Sequence, residues 1–86
     1  MRVSTMNQTM LKEIESIIRD VLDDATIQLR EESSPMEFEA WDSIAHVHIL
    51  VGIENRFGIK FELRETQQWV DMRSILESVK GKLEAA

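Results

Sequence analysis

The sequence predicts an all-α fold, a four-helix bundle with three main helices, one short helix and a long loop between the first and second helices. Three observations predict it. Chain breakers are scarce, with 3 Gly and 1 Pro in 86 residues, too few for a turn-rich β fold. Three segments carry apolar residues at steps of three and four, which gathers them on one side of a helix. The length suits one domain, residues 1–86, with one modest core.

The first helix is read over Met6–Leu22. Its stripe is Met6, Met10, Leu11, Ile14, Ile17, Ile18, Val21 and Leu22, and Lys12, Glu13, Glu15, Arg19 and Asp20 fill the polar face. Residues 1–5 read as a disordered lead-in, with Ser4 or Thr5 available as a cap. Asp23–Trp41 has no period and holds Ser33, Ser34 and Pro35. Ile27, Leu29, Met36, Phe38 and Trp41 are expected to pin this loop to the bundle, and the two serines read as plain loop residues. A loop of this length in a small domain is often functional.

The second helix spans Asp42–Phe57. Asp42 and Ser43 are good capping residues. Ile49, Ile53 and Phe57 recur at steps of four as core, and Gly58 suits the left-handed residue that ends a helix. Ile59, Phe61 and Leu63 alternate, but a lone strand has no partner. They read as an extended segment that inserts Ile59 and Phe61 into the core. A short helix is expected over about Arg64–Trp69. Asp71 then caps a last helix with the stripe Met72, Ile75, Leu76, Val79 and Leu83.

Composition excludes several classes of function. The absence of cysteine rules out disulfides, thiolate metal sites and a cysteine nucleophile, and fits a cytoplasmic protein. A net charge of -6 argues against nucleic acid. The polar opening Met1–Met10 lacks the apolar run of a signal peptide, and no segment approaches the roughly 20 apolar residues of a membrane span. His46 and His48 lie two apart, so a helix points them to different faces, whereas a chelating pair needs i, i+4. No metal site is expected, and the two histidines are assigned to surface or docking roles.

The segment Trp41-Asp42-Ser43-Ile44 through Phe57-Gly58-Ile59 carries the chemistry. It resembles the acyl and peptidyl carrier proteins, whose signature is Asp-Ser-Leu opening a helix, apolar positions along it, an acidic residue, and a Phe-Gly-Ile close. Asp42-Ser43-Ile44, Glu54 and Phe57-Gly58-Ile59 match these in order, and Trp69 falls where the family has an apolar anchor ending its short helix. The resemblance is specific from Trp41 to Ile59 and covers the rest of the chain as helix order.

The resemblance implies a non-catalytic carrier, monomeric, with 4'-phosphopantetheine esterified to Ser43. A phosphopantetheinyl transferase would install the group from coenzyme A with magnesium. Acyl or aminoacyl intermediates would then ride as thioesters to acyl-loading ligases and acyl-transfer or synthase enzymes of fatty-acid, polyketide or other specialised lipid or secondary-metabolite pathways. The first turn of a helix suits the anionic phosphodiester, because free backbone N–H groups and the positive end of the helix dipole lie there. Asp42 is expected to cap the helix and to meet the transferase. Ile44, Val47, His48, Val51 and Glu54 are assigned to partner docking, and partial exposure of Ile44, Val47 and Val51 is the observation that separates docking from core.

The chain also departs from the family. Ile44 replaces the usual leucine, and Glu39-Ala40-Trp41 precedes the signature. The second helix shows His46, His48 and Arg56 where acids are common. Weaker docking to the basic patches of fatty-acid enzymes and a dedicated partner set are therefore expected. The alternative reading is a helical protein-interaction module with an unmodified serine.

Overall fold

The computed structural model describes residues 2–85. The helices are α1 (Arg2–Leu22), α2 (Ser43–Phe57), α3 (Leu63–Thr66) and α4 (Met72–Ala85), with a 3₁₀ turn at Pro35–Glu37 and no strand among the described residues. The all-α expectation, three main helices plus a short one, matches this order.

The start of α1 corrects the sequence reading. The helix begins at Arg2, not Met6, because Arg2–Thr5 contains no Gly or Pro to stop it. Ser4 and Thr5 are therefore helical residues and not caps, and Met1 lies outside the described residues. The carboxyl end falls at Leu22 as expected. Asp23 takes φ 55°, and the Asp24 N–H reaches back to the Arg19 carbonyl at 3.0 Å. Aspartate is among the few non-glycine residues that visit this region readily.

The centre of the core is aliphatic. Ile14 and Ile18 of α1, Ile49 and Ile53 of α2, and Ile75 and Val79 of α4 are fully buried, with α1 packed against both α2 and α4. Gly52 explains the close approach of α1 to α2. A Cβ there would lie 2.7 Å from Ile17 Cγ2, so the helix accepts the roughly 1 kcal/mol propensity cost of glycine to let the two elements meet. Phe57 is half-buried against the core, and Leu83, expected in the stripe of the last helix, is 39% exposed.

The long loop is held by side chains of α1 and in turn caps α4. Arg19 Nε donates to the Ile27 carbonyl at 2.6 Å, and the Glu15 carboxylate accepts the Leu29 N–H at 2.8 Å. Ile27 and Leu29 are buried, as expected. The Ser33 and Glu31 carbonyls accept the Met72 and Arg73 N–H groups at 2.8 and 2.9 Å, which occupies donors that the start of a helix would leave unpaired.

Ser33 and Ser34 are not plain loop residues. Ser33 is buried, with its hydroxyl accepting the Arg30 N–H at 2.9 Å. Ser34 opens the 3₁₀ turn through a capping box with Glu37, and Pro35 follows it. Ser-Pro-x-Glu is a legible start signal. Met36 does not pin the loop: it is 93% exposed, because a single turn offers one face to the protein and Pro35 and Phe38 occupy it.

Beyond α2, Ile59 is buried and Phe61 half-buried against the core in a segment without regular secondary structure. The short helix ends at Thr66 instead of Trp69. Trp69 leaves the helix to place its ring in the core and its indole N–H on Ser78 Oγ at 3.0 Å. Asp71 caps α4 by exchange with Ser74: Asp71 Oδ1 accepts the Ser74 N–H at 2.9 Å, and Ser74 Oγ accepts the Asp71 N–H at 3.2 Å.

Candidate functional site

The amino end of α2 is built by Asp42. Its backbone is extended, its Oδ1 accepts the Ala45 N–H at 2.8 Å, and its carbonyl accepts the His46 N–H at 2.9 Å as the first helical bond. Ser43 is thereby the first helical residue, and it is exposed. The Ser43 and Ile44 N–H groups precede His46, the first backbone donor of the helical pattern, and have no acceptor within the helix, so the position favours an anion. Gly58 closes the helix with φ 68° and an N–H donated to the Glu54 carbonyl at 2.8 Å. Both signals that bracketed the segment in the sequence act as expected.

Helix α2 has two unlike faces. Ala45, Ile49, Leu50 and Ile53 are buried. Ile44, Val47 and Val51 are 69%, 41% and 44% exposed, and His48 is exposed beside them. The partial exposure that separates docking from core is present in all three apolar residues. Glu54 stands apart from this stripe, because its carboxylate accepts the Phe61 N–H at 2.8 Å and pins the segment after α2. Arg56 pairs with Glu13 of α1 at 2.8 Å.

Beside Ser43 lies an open groove of about 430 Å³, lined among others by Trp41, Asp42, His46, Leu63, Thr66 and Trp69. Its floor is a hydrogen-bonded chain that crosses three elements. The Trp41 indole N–H donates to His46 Nδ1 at 3.3 Å, His46 Nε2 meets Thr66 Oγ1 at 2.9 Å, and Thr66 Oγ1 donates to the Leu63 carbonyl at 2.7 Å. The Trp69 ring stacks obliquely on the imidazole at 5.6 Å, and Phe61 meets Trp69 edge-on at 5.4 Å. Burial holds the His46 imidazole below its ordinary pKa.

His46 is half-buried and turned to join the loop, α2 and α3, where the sequence reading gave both histidines surface or docking roles; His48 is exposed. The two histidines do point to different faces. Among the described residues, no group of three His, Cys, Asp or Glu is placed to hold a metal. Sequence reasoning missed Thr66, the one fully buried polar residue of α3. A threonine in a short helix carries no signal of such a role. Next to it, Glu65 pairs with Lys82 of α4 at 3.1 Å, and that contact holds its carboxyl below the usual range.

The arrangement suits a group attached through an ester oxygen. The Ser43 side chain is exposed, the helix start favours a phosphodiester, and the adjoining groove leaves room for a flexible arm. No helix among the described residues is long and apolar enough to cross a membrane. No family model matches the sequence, and no curated protein does. Among solved structures, the chain is similar to the solution structure of a holo acyl carrier protein from Geobacter metallireducens, with 35% identity over 87% of this chain and 86% of that one and a TM-score of 0.78.

Proposed function

The chain belongs to the acyl carrier protein family, and on that premise we propose that Ser43 carries a 4'-phosphopantetheine arm on which acyl or aminoacyl groups travel as thioesters. The observation that carries this reading is the exposed Ser43 at the first position of α2, behind the Asp42 cap and beside an open groove. A phosphopantetheinyl transferase moves the phosphopantetheinyl group from coenzyme A to Oγ: the Oγ–P bond forms as the pyrophosphate bond breaks, adenosine 3',5'-bisphosphate leaves and the hydroxyl proton is lost, and the arm supplies a terminal thiol that the chain itself lacks. The protein contributes placement, and the cofactor contributes the chemistry. We assign Asp42 a place in transferase recognition in addition to its cap.

The exposed stripe Ile44, Val47, His48 and Val51 is the surface for loading and transfer enzymes. It contains no carboxylate, and Glu54 is committed to the Phe61 N–H. These features favour partners of a specialised pathway that dock through apolar contacts over the basic patches of general fatty-acid synthesis.

The test is incubation of the chain with coenzyme A, magnesium and a broad-specificity phosphopantetheinyl transferase, read by intact mass. One phosphopantetheine increment is expected, and Ser43→Ala is expected to abolish it without changing the circular dichroism. Failure of the wild type to gain the increment would leave a helical interaction module with an unmodified serine as the reading. The same measurement on protein from its own host identifies the cargo.

A further inference from the structure

The bonding at His46 leaves one protonation state. An indole N–H only donates, so Nδ1 must be bare to accept from Trp41. Thr66 spends its hydroxyl hydrogen on the Leu63 carbonyl, so its oxygen accepts from Nε2–H. The network thus assigns the neutral Nε2–H tautomer. A proton added at Nδ1 would set two donors against each other and cut the bond to Trp41. Trp41 directly precedes Asp42 and Ser43, and with His46 and Thr66 it lines the groove beside that serine.

We propose that Trp41, His46 and Thr66 form a proton-sensitive latch, which holds the loop and α3 against the head of α2 while His46 is neutral and releases the Trp41 side of the groove when Nδ1 gains a proton. The groups around the imidazole do not favour its cation. Trp41, Thr66 and Trp69 are uncharged. The carboxylates of the adjoining segments are engaged elsewhere, Asp42 on the Ala45 N–H, Glu62 on Arg64 and Glu65 on Lys82, and Glu39 of the loop is exposed. Desolvation of the half-buried ring lowers its affinity for the proton. The consequence for cargo rests on the carrier reading of Ser43, because the released wall is the one an arm on that serine would lie against. The latch itself belongs to the unmodified chain.

Nitrogen-15 and proton NMR of the unmodified 86-residue chain against pH tests it. Above neutrality, His46 is expected to show the Nε2–H tautomer. Its midpoint is expected below 6.5, and the Trp41 indole N–H should shift and exchange faster with solvent along the same curve. Trp41→Phe keeps an aromatic ring but removes the donor to Nδ1, so the His46 midpoint should rise. The latch is overturned if His46 carries its proton on Nδ1 when neutral, if the Trp41 indole N–H ignores the imidazole titration, or if Trp41→Phe leaves the midpoint unchanged. None of these results bears on whether Ser43 accepts a phosphopantetheine, and loss of that modification would leave the latch standing.

Discussion

The interface of α1, α2 and α4 and the attachment of α3 are built on different physics. The first is an aliphatic interior in which Ile14, Ile18, Ile49, Ile53, Ile75 and Val79 are fully buried. Its stabilisation scales with apolar area and needs no particular angle between groups. The second concerns a helix of four residues whose one buried side chain is polar. Directed bonds among Trp41, His46, Thr66 and Leu63 hold it, with the Trp69 ring behind. A change in the first is felt by the whole chain, whereas a lost donor or acceptor in the second is felt where it occurs. The groove and Ser43 lie on the second side, where adjustment costs least.

The largest break is expected in the aliphatic interior. Ile53→Ala should destabilise the whole chain by about 2–5 kcal/mol through lost burial and the cavity left behind, measured by urea denaturation as one cooperative transition. Thr66→Val keeps the volume but leaves His46 Nε2–H without its acceptor. It should cost about 1–3 kcal/mol. Hydrogen exchange should show the loss concentrated around residues 60–70, with α1 and α4 still protected. Equal loss of protection across all helices would erase the distinction between the two regions. The smallest effect is expected from Arg56→Ala, which removes the exposed pair with Glu13. Such pairs contribute under about 1 kcal/mol, and the change should shrink further at high salt.

Proton binding separates the same two regions. His46 in the folded chain binds a proton less readily than in the unfolded chain. The unfolded state therefore takes up protons first as pH falls, and stability is fully present above the unfolded value near 6.5. It declines below that value until the folded imidazole titrates too. The decline belongs to the polar side, since the aliphatic interior holds no titratable group.

Much of this was legible in the sequence because local chemistry dictated it. Asp42 ahead of a helical stripe, Ser43 at its first position and Gly58 just past Phe57 are cap, first helical residue and stop whatever else the chain does. The exposure of Ile44, Val47 and Val51 follows from the helical period once Ile49 and Ile53 face inward. Ser34-Pro35-Met36-Glu37 was equally local and could have been read as a capping box.

Other roles depended on residues far apart in the chain, and no local pattern contains them. His46 joins the loop, α2 and α3 because Thr66, twenty positions away, offers it an oxygen. Glu54 braces the segment after α2 because the Phe61 N–H, seven positions on, falls beside it. Gly52 is a flaw in a helix until Ile17 of α1 presses against it. The sequence by itself determined which segments are helical and where the serine stands, because capping and periodicity act over a few residues. Only the tertiary structure decided which polar groups meet, because a hydrogen bond needs two partners brought within about 3 Å by the fold of everything between them.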